Sequence, residues 1–122
     1  MTRQFFCILL LAITGFTRIA LAEPTQDLNK TRYQLQVALR HAVLDIVRAG
    51  ERNPDKVPNL ALQRAQTEVA KFREVCVDRY VQLGLRRSEA KANANAEIKD
   101  TLDNLVEIAL SDVKHGIPLP PK

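Results

Sequence analysis

Glycine and proline are absent from three long stretches of the chain, and this distribution constrains the fold more than any other feature. After residue 24, both residue types occur only in two joints, at residues 50–58 and at Gly84, and from Gly116 onward. Because both residue types break helices, the stretches between them are free to form long helices. The sequence predicts helices over residues 27–49, 59–83 and 88–114, each about 35–40 Å long at 1.5 Å per residue.

Apolar residues recur at three- and four-residue spacing in all three stretches, as in helices with one buried face. Short joints between helices of similar length favour antiparallel neighbours. The sequence therefore predicts an all-α protein, an up-down-up three-helix bundle, with a hairpin that completes its core by dimerising as the alternative. The predicted core residues are Leu35, Ala38, Leu39, Ala42, Val43 and Ile46, then Leu62, Ala65, Val69, Phe72, Cys76 and Leu83, then Ala94, Ile98, Leu102, Leu105, Ala109 and Val113 with Ile108 beside them.

The first 22 residues have the pattern of a cleavable signal peptide. Arg3 precedes the apolar run FFCILLLAI, and Ala20-Leu21-Ala22 forms an A-x-A cleavage site. The apolar run is about nine residues long, whereas a membrane span takes roughly 20. We therefore expect residues 1–22 to be removed, residues 23–116 to form the helical domain, and residues 117–122 to form a proline-rich C-terminal tail. This predicts export to the periplasm or secretion, or the thylakoid lumen, without stable membrane insertion.

The charge of the exported part is small. Removing Arg3 and Arg18 reduces the basic residues from 18 to 16, against 14 acidic ones, which leaves a net charge of about +2. A nucleic-acid-binding surface would need a clustered basic face, which this mixed pattern does not predict. We therefore expect a protein partner and no nucleic acid.

Few residues are suited to catalysis or to cofactor binding. Cys76 is the only cysteine after residue 22, and it lies on an apolar stripe, where a thiol usually packs as a small hydrophobe. The alternative is an intermolecular disulfide through Cys76 in a homodimer. His41 and His115 are too few for a zinc site, which normally has at least three protein ligands. We predict no cofactor, no metal and no enzymatic activity.

Two groups of polar residues are candidate partner-binding sites. Arginine and tyrosine are enriched at the energetic centres of protein interfaces. The first group interrupts the second apolar stripe and continues into the following joint, and the second group forms an acidic face on the third helix. These candidates are Arg79, Tyr80, Arg86 and Arg87, and then Asp100, Asp103 and Glu107.

Scattered positions resemble one known family. Thr101-Leu102 and Leu105, followed by Pro118-Leu119-Pro120, are similar to the end of the third helix and the next proline segment of lumenal photosystem II assembly factors. Arg79-Tyr80 resembles part of that family's second helix. The family's aromatic and threonine-rich stretch before the third helix is absent, as is the lipid-bearing cysteine of its bacterial members. The resemblance implies a lumenal assembly role and transfers no site residues.

These features together predict a small exported helical protein that binds another protein. It would act as a periplasmic adaptor, a chaperone-like module or an immunity-type inhibitor, through surface complementarity rather than bond-making. The alternative function is a self-assembling structural envelope protein. The proline-rich tail is expected to be extended, either as a recognition strand for a partner groove or as a free end.

Overall fold

A computed structural model describes residues 27–121, and within this range the chain is helical except at its joints and tail. The first helix, α1, covers residues 27–48. It is followed by α2 (Lys56–Arg64), α3 (Gln66–Gln82) and α4 (Arg87–Lys114). The predicted all-α class is confirmed, with no strand among the described residues. The predicted signal peptide lies outside the described residues.

The second predicted helix is divided in the structure, so the prediction of one continuous helix over residues 59–83 is wrong. Ala65 separates α2 from α3, with φ −97° and ψ 21°. The break is slight, because the Ala65 N–H still donates to the Ala61 carbonyl and the Val69 N–H donates to the Ala65 carbonyl. The apolar stripe therefore continues from α2 into α3 in spite of the local change in the backbone.

The second helical stretch begins at Lys56 and not at residue 59 as predicted, so Pro58 lies inside α2. It occupies the first turn, where the N–H groups of a helix have no intrahelical acceptor and proline is tolerated. Just before this turn, the Asn53 side-chain oxygen accepts a hydrogen bond of 2.9 Å from the Asp55 N–H. The Asn53 side chain in the joint therefore satisfies a backbone N–H group directly before α2 begins.

All four helices contribute to one apolar core. Phe72 is its largest fully buried side chain, and it is surrounded by aliphatic residues and the Cys76 thiol. The predicted faces of α1 and α4 are buried at most positions. Beyond the predicted set, the core includes Leu28, Val47, Val57, Ala61, Val77, Ala90 and Val106.

Two residues predicted in or beside the core are exposed instead. Leu83 is 55% exposed because the helix ends there and no later turn covers it. Ile108 is 60% exposed, and Val106 is buried on α4 in the same region. The apolar spacing was right for the centre of each helix and wrong at these two positions.

A glycine in the left-handed region follows each of α1, α3 and α4. After α3, Gly84 has φ 102°, its N–H donates to the Val81 carbonyl, and the Leu85 N–H donates to the Tyr80 carbonyl. This pair of hydrogen bonds is the Schellman motif, which satisfies carbonyls at the end of a helix. The same pattern occurs at Gly50 and Gly116.

Replacing Gly84 with alanine is expected to lower the free energy of unfolding by about 1–2 kcal/mol, because an L-residue is strained at positive φ. A Cβ at this position would meet no atom within 4 Å, so the loss would come from the backbone alone. Urea denaturation followed by circular dichroism measures the change. Gly84→Asn is the matched control, with a smaller expected loss because asparagine tolerates this region better. Equal stability of Gly84→Ala and the original chain would contradict the assigned turn.

Candidate functional site

The joint between α3 and α4 is short and places exposed apolar and basic side chains together. We call residues 83–87, with the adjoining last turn of α3, the α3–α4 tip. Leu83 is exposed at the end of α3, and Arg86 and Arg87 are exposed where α4 begins. Arg86 occupies the N-cap position in an extended conformation, and its carbonyl accepts a hydrogen bond of 2.9 Å from the Ala90 N–H. The backbone is thus fixed while both guanidinium groups reach solvent.

The four residues predicted as one binding group have two different environments. Arg86 and Arg87 are exposed, whereas Arg79 and Tyr80 are half-buried. Arg79 lines a hollow that also contains Asp78, and Asp78 in turn lines a groove with Arg87. The Arg79 Nη1 atom is buried without a hydrogen-bond acceptor. Buried polar atoms nearly always have a partner, so this nitrogen has hydrogen-bonding capacity that the described residues do not use.

Tyr80 follows Cys76 by one turn of α3, and both side chains have raised pKa values. Burial raises the pKa of the Cys76 thiol, and the negative charge of Glu97 raises it further, while Arg32 opposes the shift. Burial is also the largest cause of the raised pKa of Tyr80. Both groups therefore stay protonated at neutral pH.

Cys76 is free and fully buried, so its packing agrees with a small core residue. A disulfide to a second chain would require α3 to move away from its neighbours before the sulfur could be reached. The intermolecular disulfide stays a prediction, and its formation would require free energy to open the core around Cys76.

Sequence reasoning missed a polar cluster that joins three helices beside Cys76. Arg32 on α1 donates from Nε to Glu97 Oε1 on α4 at 2.7 Å and from Nη2 to Oε2 at 3.4 Å. The same guanidinium lies 5.9 Å from the centre of the Phe72 ring on α3. Glu97 directly precedes the predicted core residue Ile98, and Arg32 lies three residues before Leu35, so each is near a predicted core position, and that was the available signal. The geometry fits a structural junction, because Phe72 itself is fully buried.

The acidic group on α4 is exposed and separate from the tip. Asp100, Asp103 and Glu107 all face solvent, and Asp103 forms an ion pair with Lys99 at 2.5 Å. Asp100 follows Arg87 by thirteen positions, which is about 20 Å along a helix. The two predicted groups are therefore two surfaces and do not form one site.

An exposed aromatic residue on α1 marks another surface that the sequence did not single out. Tyr33 is 67% exposed and lies between two open grooves. One groove runs toward α3 and is lined by His41, Glu68 and Lys71, and the other runs toward α4 and is lined by Leu105. Nothing in the sequence distinguished Tyr33 from a residue that packs at the edge of the core.

Within residues 27–121, no group of three or more histidine, cysteine, aspartate and glutamate side chains is arranged to hold a metal. None of the described helices is long and apolar enough to cross a bilayer. A scan of family models, a search of curated proteins and a search of solved structures each gave no match.

Cys76 is expected to react slowly with a thiol reagent while the protein is folded. Burial excludes the reagent, and at about pH 8 the raised pKa suppresses the thiolate, which is the reactive form. In a chain with Cys7 replaced by serine, we expect unfolding in concentrated urea to speed labelling about 100-fold or more. Equally fast labelling of the folded protein would contradict the buried position. A non-reducing gel of the same chain before labelling tests the Cys76-linked homodimer.

Arg32 and Glu97 are expected to be energetically coupled. A double-mutant cycle by urea denaturation would compare Arg32→Met, Glu97→Gln and both changes together. The coupling free energy should be about 0.5–1 kcal/mol, because the pair is bidentate and only about a third exposed. The matched control is the more exposed Lys99–Asp103 pair, for which we expect about 0.3–0.5 kcal/mol. A coupling of zero for Arg32 and Glu97 would show that the junction does not stabilise the fold.

Proposed function

We propose that this chain is an exported helical protein that acts without catalysis by binding another protein at the α3–α4 tip. The proposal includes removal of residues 1–22 as a signal peptide. It also includes an up-down-up three-helix bundle in which α2 and α3 together form the second arm.

Contacts between the helices support this arrangement. Arg32, near the start of the described part of α1, pairs with Glu97 in the first half of α4. Further along both helices, Leu44 and Ile108 line one small cavity. These pairings are those of two helices that run in the same direction. The short joint before α4 favours an opposite direction for α3.

One observation carries the proposed binding surface, namely the exposure of Leu83 beside Arg86 and Arg87 at the tip. Arg32 and Arg73 each donate to a side-chain oxygen of α4, at 2.7 and 2.8 Å. Arg86 and Arg87 are instead exposed where the chain turns. Arginine is enriched at interface centres, where a partner carboxylate can receive two parallel hydrogen bonds.

The chemistry of this tip fits a partner surface that combines carboxylates with an apolar patch. Leu83 contributes apolar area that a partner can cover, and burial of that area would add about 25 cal/mol per Å². Arg79, on the last turns of α3, has the unsatisfied Nη1 atom described above. A carboxylate that approaches the tip could induce Arg79 to turn outward and pair with it.

The test is affinity capture with residues 23–122 from the native envelope or lumenal fraction, with the bound proteins identified by mass spectrometry. We expect one stoichiometric partner. Its affinity should fall about tenfold or more in Arg86→Ala/Arg87→Ala, because both guanidinium groups are lost, and a tenfold loss corresponds to about 1.4 kcal/mol. Replacement of both arginines by glutamate should weaken binding further, because it reverses the charge.

The matched control is Lys56→Ala/Arg64→Ala, which removes two exposed basic residues from α2. It should leave the partner bound, because α2 lies away from the tip in sequence. Undiminished capture by Arg86→Ala/Arg87→Ala would reject the tip as the binding surface. Recovery of the protein only with copies of itself would favour the self-assembling structural alternative.

A further inference from the structure

The C-terminal tail lies against the helices and does not extend freely into solvent. Residues 117–121 have no regular secondary structure, and Ile117 at their start is exposed. Leu119 and Pro120 are half-buried, and Leu119 packs against the apolar core. The tail therefore returns to the helices after the turn at Gly116.

A polar contact holds the tail at Pro120. The Arg48 Nη2 atom, on the last turn of α1, donates to the Pro120 carbonyl. Proline has no N–H group, so a proline-rich segment offers neighbouring proteins mainly carbonyl acceptors. A guanidinium group that donates to such a carbonyl is a suitable recognition element for an extended proline segment.

Pro120 also lines a small cavity beside α1, together with apolar side chains. Leu44 follows Leu35 by nine residues, so at about 100° per residue it points away from the core face that Leu35 occupies. Leu44 is nevertheless only 5% exposed, although it does not belong to the central core cluster. Pro120 lines the same cavity of about 60 Å³ as Leu44, Leu105 and Ile108. Pro120 of the tail and Leu44 of α1 therefore face a common cavity, which the exposed Ile108 also lines.

We propose that the groove between residues 40–48 of α1 and residues 105–112 of α4 is a binding site for an extended leucine-proline peptide segment, and that the protein's own tail is its resident ligand. Arg48 donates a hydrogen bond to a main-chain carbonyl of the segment, while Leu44 and Ile108 contact the segment's apolar side chains. Extended proline segments bind apolar grooves at low entropic cost because they are already stiff. The tail blocks the groove until it is displaced.

The attached tail has a large advantage over a free segment. A short tether gives a bound segment an effective concentration in the millimolar range. A leucine-proline segment of another protein would therefore bind strongly only after the tail is released or removed. This inference does not depend on the proposed function of the α3–α4 tip, because the two surfaces share no residue.

The experiment compares the full chain with a chain that ends at Gly116, using NMR with labelled leucine and isoleucine methyl groups. The probe is the free hexapeptide with the sequence of residues 117–122. We expect saturable shifts of the Leu44 and Ile108 methyl signals in the shortened chain, and about tenfold or more weaker binding to the full chain. A hexapeptide with alanine at its three proline positions should bind more weakly to the shortened chain.

Variants of Arg48 test the polar contact. Arg48→Ala in the shortened chain should weaken the hexapeptide about tenfold, since a hydrogen bond from a charged donor is lost. The matched control is Arg64→Ala, which removes an exposed arginine from α2. In the full chain, Arg48→Ala should move the Leu44 methyl signals toward those of the shortened chain. That measurement still tests the proposal if the shortened chain does not fold.

Two outcomes would overturn the proposal. If the Leu44 and Ile108 signals are identical in the full and shortened chains, the tail does not occupy the groove. If the signals differ but the hexapeptide produces no saturable shift in the folded shortened chain, the tail packs there without a peptide-binding site.

Discussion

The burial of Phe72 among side chains of all four helices is the constraint on which the arrangement of the helices depends. Phe72 is the only fully buried aromatic side chain in residues 27–121. Phe72 belongs to α3, and its ring lies under the guanidinium of Arg32 from α1. Two nitrogens of that guanidinium donate hydrogen bonds to the carboxylate of Glu97 from α4. A charged group at the edge of an apolar core is costly unless it is paired. The ion pair therefore links α1 and α4 beside the largest side chain of the core.

The sizes of the core residues along α4 complement this junction. Near the short α3–α4 joint the buried positions are Ala90 and Ala94, and further along they are Ile98 and Leu102. Small side chains let two helices approach closely, which a short joint requires. The small residues Ala90 and Ala94 thus suit the short connection between α3 and α4, and larger residues follow at Ile98, Leu102 and Val106.

The sequence predicted those parts of the fold that depend on local spacing, and it missed those that depend on distant contacts. Glycine positions and apolar periodicity were enough for the helices and most of their buried faces. No glycine or proline marks the break at Ala65 in the sequence. The backbone hydrogen bonds on both sides of Ala65 largely continue the pattern of a helix. Leu83 fits the periodic pattern, but periodicity does not show that a helix ends before a side chain can be covered.

The candidate sites divide in the same way. Exposure of Arg86 and Arg87 follows from a joint, and surface joints commonly carry binding residues. Arg79 and Tyr80 belong to a helix, so their orientation depends on what packs beside it. The contact from Arg48 to Pro120 spans 72 residues, and no local pattern links these positions. Since α4 is 28 residues long, or about 42 Å at 1.5 Å per residue, it separates the tip from the tail groove at its other end. The two surfaces are therefore too far apart for one small ligand to contact both.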